Sequence, residues 1–322
     1  MDVKRSLGRS GIVVGALGLG TARIGGLGYS RSGDRETRLI PEAVEESKRA
    51  IRRALDLGVT FFDTADVYGA GRSERILGEA IVGHRNEVTL ATKFGERFDE
   101  ETGEEVDAEV TPEYVVRACE ASLQRLGTDV IDVYLLHLRE FPIDRASAIR
   151  DALEDLVSEG KIRGYGWSTD DVDRAALFAE GRHCVAIEHR LNVLMNTSEM
   201  LAVCDAHDLA SINRVPLLCG AITGRWSPDF TLPASDRRSD WLAEPGFQDM
   251  IRRAESLRPI LTDGGRSFVQ GALGWIWARS PRAIPIPGFR TVEQVEDLVG
   301  AMAYGPLCAD AMSAIEEQLG RP

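Results

Sequence analysis

The stretch Phe61-Phe62-Asp63-Thr64-Ala65-Asp66-Val67-Tyr68-Gly69 sets a carboxylate and a phenol five residues apart, where an apolar strand-like run gives way to a loop. Taken alone, such an Asp is more often a loop cap, and such a Tyr a half-buried rim aromatic. Two later residues shift the balance. Lys93 follows the next strand-like run, Val88 to Thr92, and His137 follows the one after it, Val133 to Leu136. A lysine there would otherwise be a solvated strand end, and a histidine a satisfied core imidazole. Four proton-handling groups at the C-terminal ends of three successive strands read as one active site.

A phenol with a pKa near ~10 is a weak acid at neutral pH, and a buried cation beside it is expected to lower that value. Lys93 supplies the cation, Asp63 keeps the lysine charged and oriented, and neutral His137 donates to a substrate oxygen beside the Tyr68 hydroxyl. Such a set polarises a carbonyl and delivers a proton to it. Since the four groups include neither a nucleophile nor a metal site, a reduction here calls for a separate hydride donor.

The elements that position these groups alternate along the whole chain. Strand candidates are Ala16 to Gly20, Thr60 to Asp63, Val88 to Thr92, Val133 to Leu136, Gly164 to Trp167, Val185 to Glu188, Leu209 to Asn213 and Ala283 to Ile286. Helical patterns lie between or after them, from Glu42 to Leu57 through Pro112 to Leu126 and on to Thr291 to Met302. Thr111-Pro112-Glu113 has an N-cap followed by proline at the first helical position, and Gly58, Gly127 and Gly160 stand where helices stop. Eight strand–helix units predict an α/β fold closed as a single (β/α)8 TIM barrel, one domain over 1–322. A long loop after the seventh strand, Ser227 to Pro259, and an extra C-terminal helix, Asp310 to Leu319, fall outside the repeat. A doubly wound sheet would need a glycine-rich turn leading straight into a helix, and Gly18 to Gly26 has none directly behind it.

The net charge of −13 argues against nucleic acid or an acidic membrane as partner, while leaving room for one phosphorylated ligand on a local Arg cluster. No N-terminal h-region and no apolar run of about 18 residues is present, so the expected location is cytoplasmic. The five cysteines are odd in number and widely spaced, which reads as reduced thiols, and no histidine spacing suggests a metal.

At this point the strings Phe62-Asp63-Thr64-Ala65-x-x-Tyr68-Gly69, Ala91-Thr92-Lys93 and Leu135-Leu136-His137 resemble the catalytic segments of the aldo-keto reductase superfamily, over nearly the whole chain. The resemblance implies a barrel that uses NADP(H), in preference to NAD(H), to reduce a small aldehyde, ketone or sugar-like carbonyl. It makes Tyr68 the proton donor, Lys93 and Asp63 its tuners, and His137 the group that orients the carbonyl. Gly166-Trp167-Ser168-Thr169 resembles the family's Gly-x-Ser-Asn at the nicotinamide amide, with Thr169 replacing Asn. Pro216-Leu217-Leu218-Cys219-Gly220 to Arg225 resembles its pyrophosphate loop. Ile286-Pro287-Gly288-Phe289-Arg290, running on to Gln294, resembles its adenosine-phosphate loop, where free N–H groups at a helix start and Arg290 would grip a 2′-phosphate. Gly20 and Thr21, with Asp63, complete the implied cofactor set.

Three departures from the family pattern stand out. Asp297 and Leu298 replace Glu-Asn on the adenine side. Glu188 replaces the Gln that meets the nicotinamide amide, and Arg214 replaces an aromatic under the ring. Glu188 and Arg214 are expected to compensate each other as an ion pair, so that changing Arg214 alone weakens cofactor binding. The substrate would be chosen by rim loops Arg23 to Arg38, Arg139 to Arg145 and Ser227 to Pro259, with Trp226, Phe230 and Trp241 as possible apolar lining. Two further functions fit the same residues: a cofactor-binding regulatory subunit resembling potassium-channel β-subunits, and a physiological alcohol or sugar dehydrogenase. The sequence carries no signal for the oligomeric state.

Overall fold

The computed structural model describes residues 4–26, 40–100, 102, 106, 109–224, 240 and 244–321. A short antiparallel hairpin comes first, β1 (Lys4–Ser6) with β2 (Val13–Gly15). Eight parallel strands follow: β3 (Gly18–Gly20), β4 (Phe61–Asp63), β5 (Thr89–Phe94), β6 (Val133–Leu136), β7 (Tyr165–Ser168), β8 (Cys184–Arg190), β9 (Ala210–Arg214) and β10 (Ala283–Pro285). They pair in chain order, and the ring closes where Gly20 N–H donates to Pro287 O at 3.0 Å, beside a parallel bridge to Gly288. A Cβ on Gly20 would stand 2.9 Å from Ile286 O, so this closure needs glycine.

Helices α1 (Pro41–Asp56), α2 (Arg72–Ala80), α3 (Pro112–Leu126), α4 (Ile143–Ser158), α5 (Val172–Ala179) and α6 (Ser198–Ala206) separate the strands. After β9 come α7 (Pro245–Ser256), α8 (Arg258–Leu261) and α9 (Phe268–Arg279); α10 (Val292–Tyr304) and α11 (Ala309–Gln318) end the chain. The (β/α)8 barrel and its extra C-terminal helix therefore stand as expected. The long connection after the seventh barrel strand is present too, but its second half is helical, an amphipathic segment whose Ile251 and Ala254 are buried. Among the described residues no single helix is long and apolar enough to cross a membrane.

Local chemistry sets the boundaries. Thr111 accepts from Tyr114 N–H and Pro112 opens α3, which ends at left-handed Gly127 (φ 64°). Asp171 caps α5, Thr291 caps α10, and Ser267 with Gln270 forms a reciprocal capping box on α9.

Side-chain alternation along the strands decides what faces the barrel axis. Phe61, Ala91, Val133, Leu135, Ala186, Ala210, Ile212, Ile284 and Ile286 pack together as the inner core, with Leu7 and Val14 from the hairpin side. Phe62, Leu90, Leu136, Trp167 and Ile187 belong to the core shared with the helices. A residue two places beyond an inner-core residue points the same way. That rule puts Asp63, Lys93, His137, Glu188 and Arg214 inside the C-terminal mouth. The segment linking β1 to β2 packs at the other end, where the Arg9 guanidinium donates to Cys184 O and Ala179 O.

Candidate active site

Lys93 lies at the centre. Its ammonium, with no side-chain exposure, donates to Asp63 Oδ1 at 2.6 Å, Asp63 Oδ2 at 2.7 Å and Thr64 O at 2.8 Å. It also stands 5.2 Å from the centre of the Tyr68 ring. The Tyr68 and His137 rings meet edge to face, with centroids 5.9 Å apart. The four residues expected to act together are thus gathered by β4, β5, β6 and one loop.

That loop is held at both ends. Thr21 N–H and Oγ1 both donate to Asp63 O, at 2.8 and 3.0 Å, and Ser73 Oγ bonds Thr21 and Thr64. Asp66 N–H donates to Lys93 O at 3.2 Å. After Tyr68 the chain reverses through three left-handed residues, Gly69, Ala70 and Gly71 (φ 60°, 52° and 82°). A side chain on Gly71 would also meet Arg125 Cδ at 2.5 Å.

Burial dominates the electrostatics. It pushes Asp63 well above the ordinary carboxylate range; Lys93 opposes that shift and Glu188 adds to it. For Lys93, burial pulls downward, but Asp63 and Glu188 together outweigh it and the net shift is upward. The ammonium is firmly protonated. Tyr68 corrects an expectation: its phenol is raised rather than lowered, because burial outweighs Lys93, and Asp63 and Glu188 push the same way as burial. Lys93 limits the rise without reversing it.

A second corrected expectation concerns Glu188 and Arg214, which do not pair with each other. Glu188 Oε1 accepts from Ser168 Oγ at 2.9 Å, and Glu188 Oε2 stands 3.3 Å from Lys93 Nζ. Arg214 instead bonds Asp170, which also takes Arg190 N–H at 2.8 Å and Arg190 Nε at 2.7 Å. Asp170 escaped the sequence reading. Its only signal there was its place directly after Ser168-Thr169. The next residue after Arg214, Val215, has φ 55°, a strained conformation for a β-branched side chain. Asn192 Nδ2 donates to its carbonyl at 3.2 Å.

The remaining expected cofactor residues divide into those at the mouth and those tied down elsewhere. Gly20 and Gly288 face each other at the closing seam. Thr169 N–H donates to Glu188 O, while its hydroxyl turns to Arg139 O. Pro216 and Leu217 lead into the short helical turn Leu218–Thr223, in which Gly220 adopts φ 105°. Phe289 is buried in the core shared with the helices. The Asp297 carboxylate accepts from Gln270 Nε2 at 3.0 Å. Arg225, Trp226, Phe230 and Trp241 lie outside the described residues.

The start of α10 is partly occupied by the chain itself, for three of its N–H groups already have acceptors. Arg290 N–H donates to Gln294 Oε1 at 2.7 Å, Val292 N–H to Glu46 Oε1 at 2.9 Å, and Gln294 N–H to Thr291 Oγ1 at 3.3 Å. That bond to Val292, followed by Arg49, holds Glu46 below the usual carboxylate range.

Behind the Tyr68 loop, buried Asp66 borders a cavity of about 220 Å³ together with Arg97, Tyr114, Arg117 and Arg125. Its Oδ1 has no hydrogen-bond partner among the described residues, and burial raises its pKa well above the ordinary value. A carboxyl raised on folding stabilises the fold at low pH and loses that contribution as pH climbs above about 4. Asp66→Asn does not titrate. Its stability relative to the parent protein is therefore expected to improve steadily between roughly pH 5 and pH 8 in urea denaturation; a difference independent of pH would show that Asp66 is ionised at little cost.

An eight-stranded barrel carrying a phenol, a paired lysine and two carboxylates in its C-terminal mouth defines the class of protein. The Aldo/keto reductase family model matches residues 16–319, and the chain belongs to that family, whose members are oxidoreductases. It is 30% identical over 273 residues to an aldo-keto reductase of Schizosaccharomyces pombe that carries NADP(+) in its name, covering 81% of this chain and 79% of that one. An NADH-specific methylglyoxal reductase of Escherichia coli is 29% identical, over 99% of each chain. Among solved structures, a glycerol dehydrogenase from Gluconobacter oxydans superposes with a TM-score of 0.83 at 27% identity, over 99% of this chain and 95% of that one.

Proposed function

We propose that the protein is an NADP(H)-dependent carbonyl reductase acting on a small aldehyde, ketone or sugar-like substrate. The observation that carries this reading is the Tyr68 ring held between Lys93, itself clasped by Asp63, and His137. When bound, the reduced nicotinamide supplies the hydride. Tyr68 donates the proton to the carbonyl oxygen, His137 orients that oxygen, and Lys93 stabilises the phenolate left behind.

The residues at the mouth suit the cofactor. Among the described residues, Glu188 Oε2 and Arg214 Nε are buried polar atoms without a hydrogen-bond partner, an acceptor and a donor that an amide or phosphate group can satisfy. Ser168 and Glu188 would hold the nicotinamide amide, the Pro216–Gly220 turn the pyrophosphate, and Arg290 with Gln294 the adenosine phosphate. The NADP(+) in the name of the fission-yeast relative supports the phosphorylated form. Since the Arg290, Val292 and Gln294 N–H groups are already engaged, discrimination between NADP and NAD falls mainly on the Arg290 guanidinium. Replacing Arg290 by Ala should weaken NADPH binding about tenfold or more while NADH changes little, on the usual 1.5–3 kcal/mol for a charged hydrogen bond. Fluorescence titration with both cofactors measures this, and equal losses would remove Arg290 from the phosphate site.

The activity is tested by NADPH consumption over a panel of aldehydes, ketones and keto-sugars, with Tyr68→Phe as control. Cofactor binding without turnover of any carbonyl would favour a regulatory role. Physiological oxidation of an alcohol has one observation of its own: the Glu188 carboxylate beside Lys93, which suits a cationic ring, in a chain whose fold matches a glycerol dehydrogenase.

A further inference from the structure

We propose that Asp63, Lys93 and Glu188 act as a proton-linked sensor of cofactor charge, holding one extra proton while the bound nicotinamide is neutral and releasing it when the ring is cationic. The proposal rests on the cofactor reading above and concerns the same site, with Glu188 as its positioning residue.

Two carboxylates share one ammonium here. Lys93 Nζ lies 2.6 and 2.7 Å from the Asp63 oxygens and 3.3 Å from Glu188 Oε2. All three side chains are at most 3% exposed. Fully ionised, the three side chains carry a net charge of −1 in a buried site, relieved only in part by the charge of Arg214, which is costly. A proton placed between the carboxyls cancels that charge. The two are close enough for Glu188 to act on Asp63 through a side-chain hydrogen bond as well as through its charge, and both effects raise Asp63. Among the described residues, Glu188 Oε2 has no hydrogen-bond partner. It is placed to accept from a protonated Asp63, or to face a cation.

The neighbouring groups are otherwise committed. Tyr68, on the loop after β4, is raised by burial and stays protonated near neutral pH. Arg214 on β9 is bonded to Asp170, which follows β7. Burial lowers His189, next to Glu188 on β8, to about 4, so it stays neutral. His137 faces the Tyr68 ring from beyond β6, and Glu96, beyond β5, bears on Tyr68 as a further negative charge. That leaves the carboxyl pair to exchange a proton. A nicotinamide that passes hydride to a carbonyl bonded by Tyr68 must lie beside this cluster. Its oxidised form would supply the missing positive charge, and the extra proton would leave.

The test is a binding measurement. The affinities of the purified protein for NADP+ and NADPH are measured by intrinsic fluorescence across roughly pH 5 to 8. Their ratio cancels the titration of the 2′-phosphate that both forms carry. We expect NADP+ to gain on NADPH by up to about tenfold per pH unit, the limit for one linked proton. Calorimetry in buffers of different ionisation heat should detect proton release with NADP+ alone. Glu188→Gln should bind both forms and flatten the ratio, and Glu188→Asp should restore the slope. A ratio flat with pH in the parent protein, or a slope that survives Glu188→Gln, overturns the proposal. Failure of either form to bind at any pH would overturn the cofactor reading itself, a different result.

Discussion

Replacing Tyr68 with Phe is expected to lower carbonyl turnover by about a hundred- to ten-thousandfold, the usual share of a positioned general acid, with cofactor affinity changed only a few-fold. The substitution removes one oxygen and keeps the ring. The edge contact with His137 and the approach of Lys93 to the ring face both survive. Lys93 also keeps its bonds to Asp63 and Thr64, so the cluster does not collapse when the hydroxyl is lost. The loss should therefore fall on kcat rather than on cofactor Kd. The upward shift of the phenol sharpens this expectation, since burial holds the proton on Tyr68 at neutral pH. An acid that is fully protonated until the carbonyl arrives delivers its proton only as negative charge develops on the substrate oxygen. Full activity in Tyr68→Phe would mean that another group, or water, supplies the proton.

The barrel and the four central residues were legible because both follow from periodicity. Runs such as Val133 to Leu136 are short, apolar and regularly spaced, and strand alternation fixes which residue reaches the mouth. The helix at Pro112–Leu126 was found to the residue because Thr111, Pro112 and Gly127 mark its ends by local chemistry. The hairpin at Lys4–Ser6 and Val13–Gly15 has no signature in the sequence. Its strands are three residues each, and their packing against the far end of the barrel leaves no local pattern. The helix Pro245–Ser256 reads as loop in the sequence because Asp, Pro, Ser and Trp dominate the segment around it, although Pro245 stands at a permitted first position. Partner choice was the least legible part. From sequence, Arg214 has several carboxylates to choose from, and only the fold brings Asp170 to it and sends Glu188 to Lys93. The sign of the Tyr68 shift failed for a related reason. The lysine was visible in the sequence, but the degree of burial and the second carboxylate emerge only from packing.

Lys93→Met should abolish turnover and destabilise the fold by about 3–5 kcal/mol, the range for breaking a buried ion pair by removing one partner. Methionine nearly matches the lysine stem in length, so little packing is lost, and the cost is electrostatic. Asp63 and Glu188 remain buried on the axis of the barrel without their cation. Burial then holds a proton on Asp63 with no lysine to oppose it, whereas the unfolded chain releases that proton above about pH 4. The folded state therefore binds more protons than the unfolded one, and stability falls as pH rises. In the parent protein Lys93 offsets part of this penalty by opposing the upward shift of Asp63. The gap between parent and Lys93→Met should accordingly be smallest near pH 5 and widen toward pH 8, read as urea midpoints at each pH. Adding Asp63→Asn and Glu188→Gln to Lys93→Met removes the orphaned charges. That triple variant should recover most of the stability and none of the turnover, which separates the lysine's two roles. A loss under about 1 kcal/mol in Lys93→Met, unchanged with pH, would mean that water reaches the two carboxylates and that the cluster is not the dry site its geometry describes.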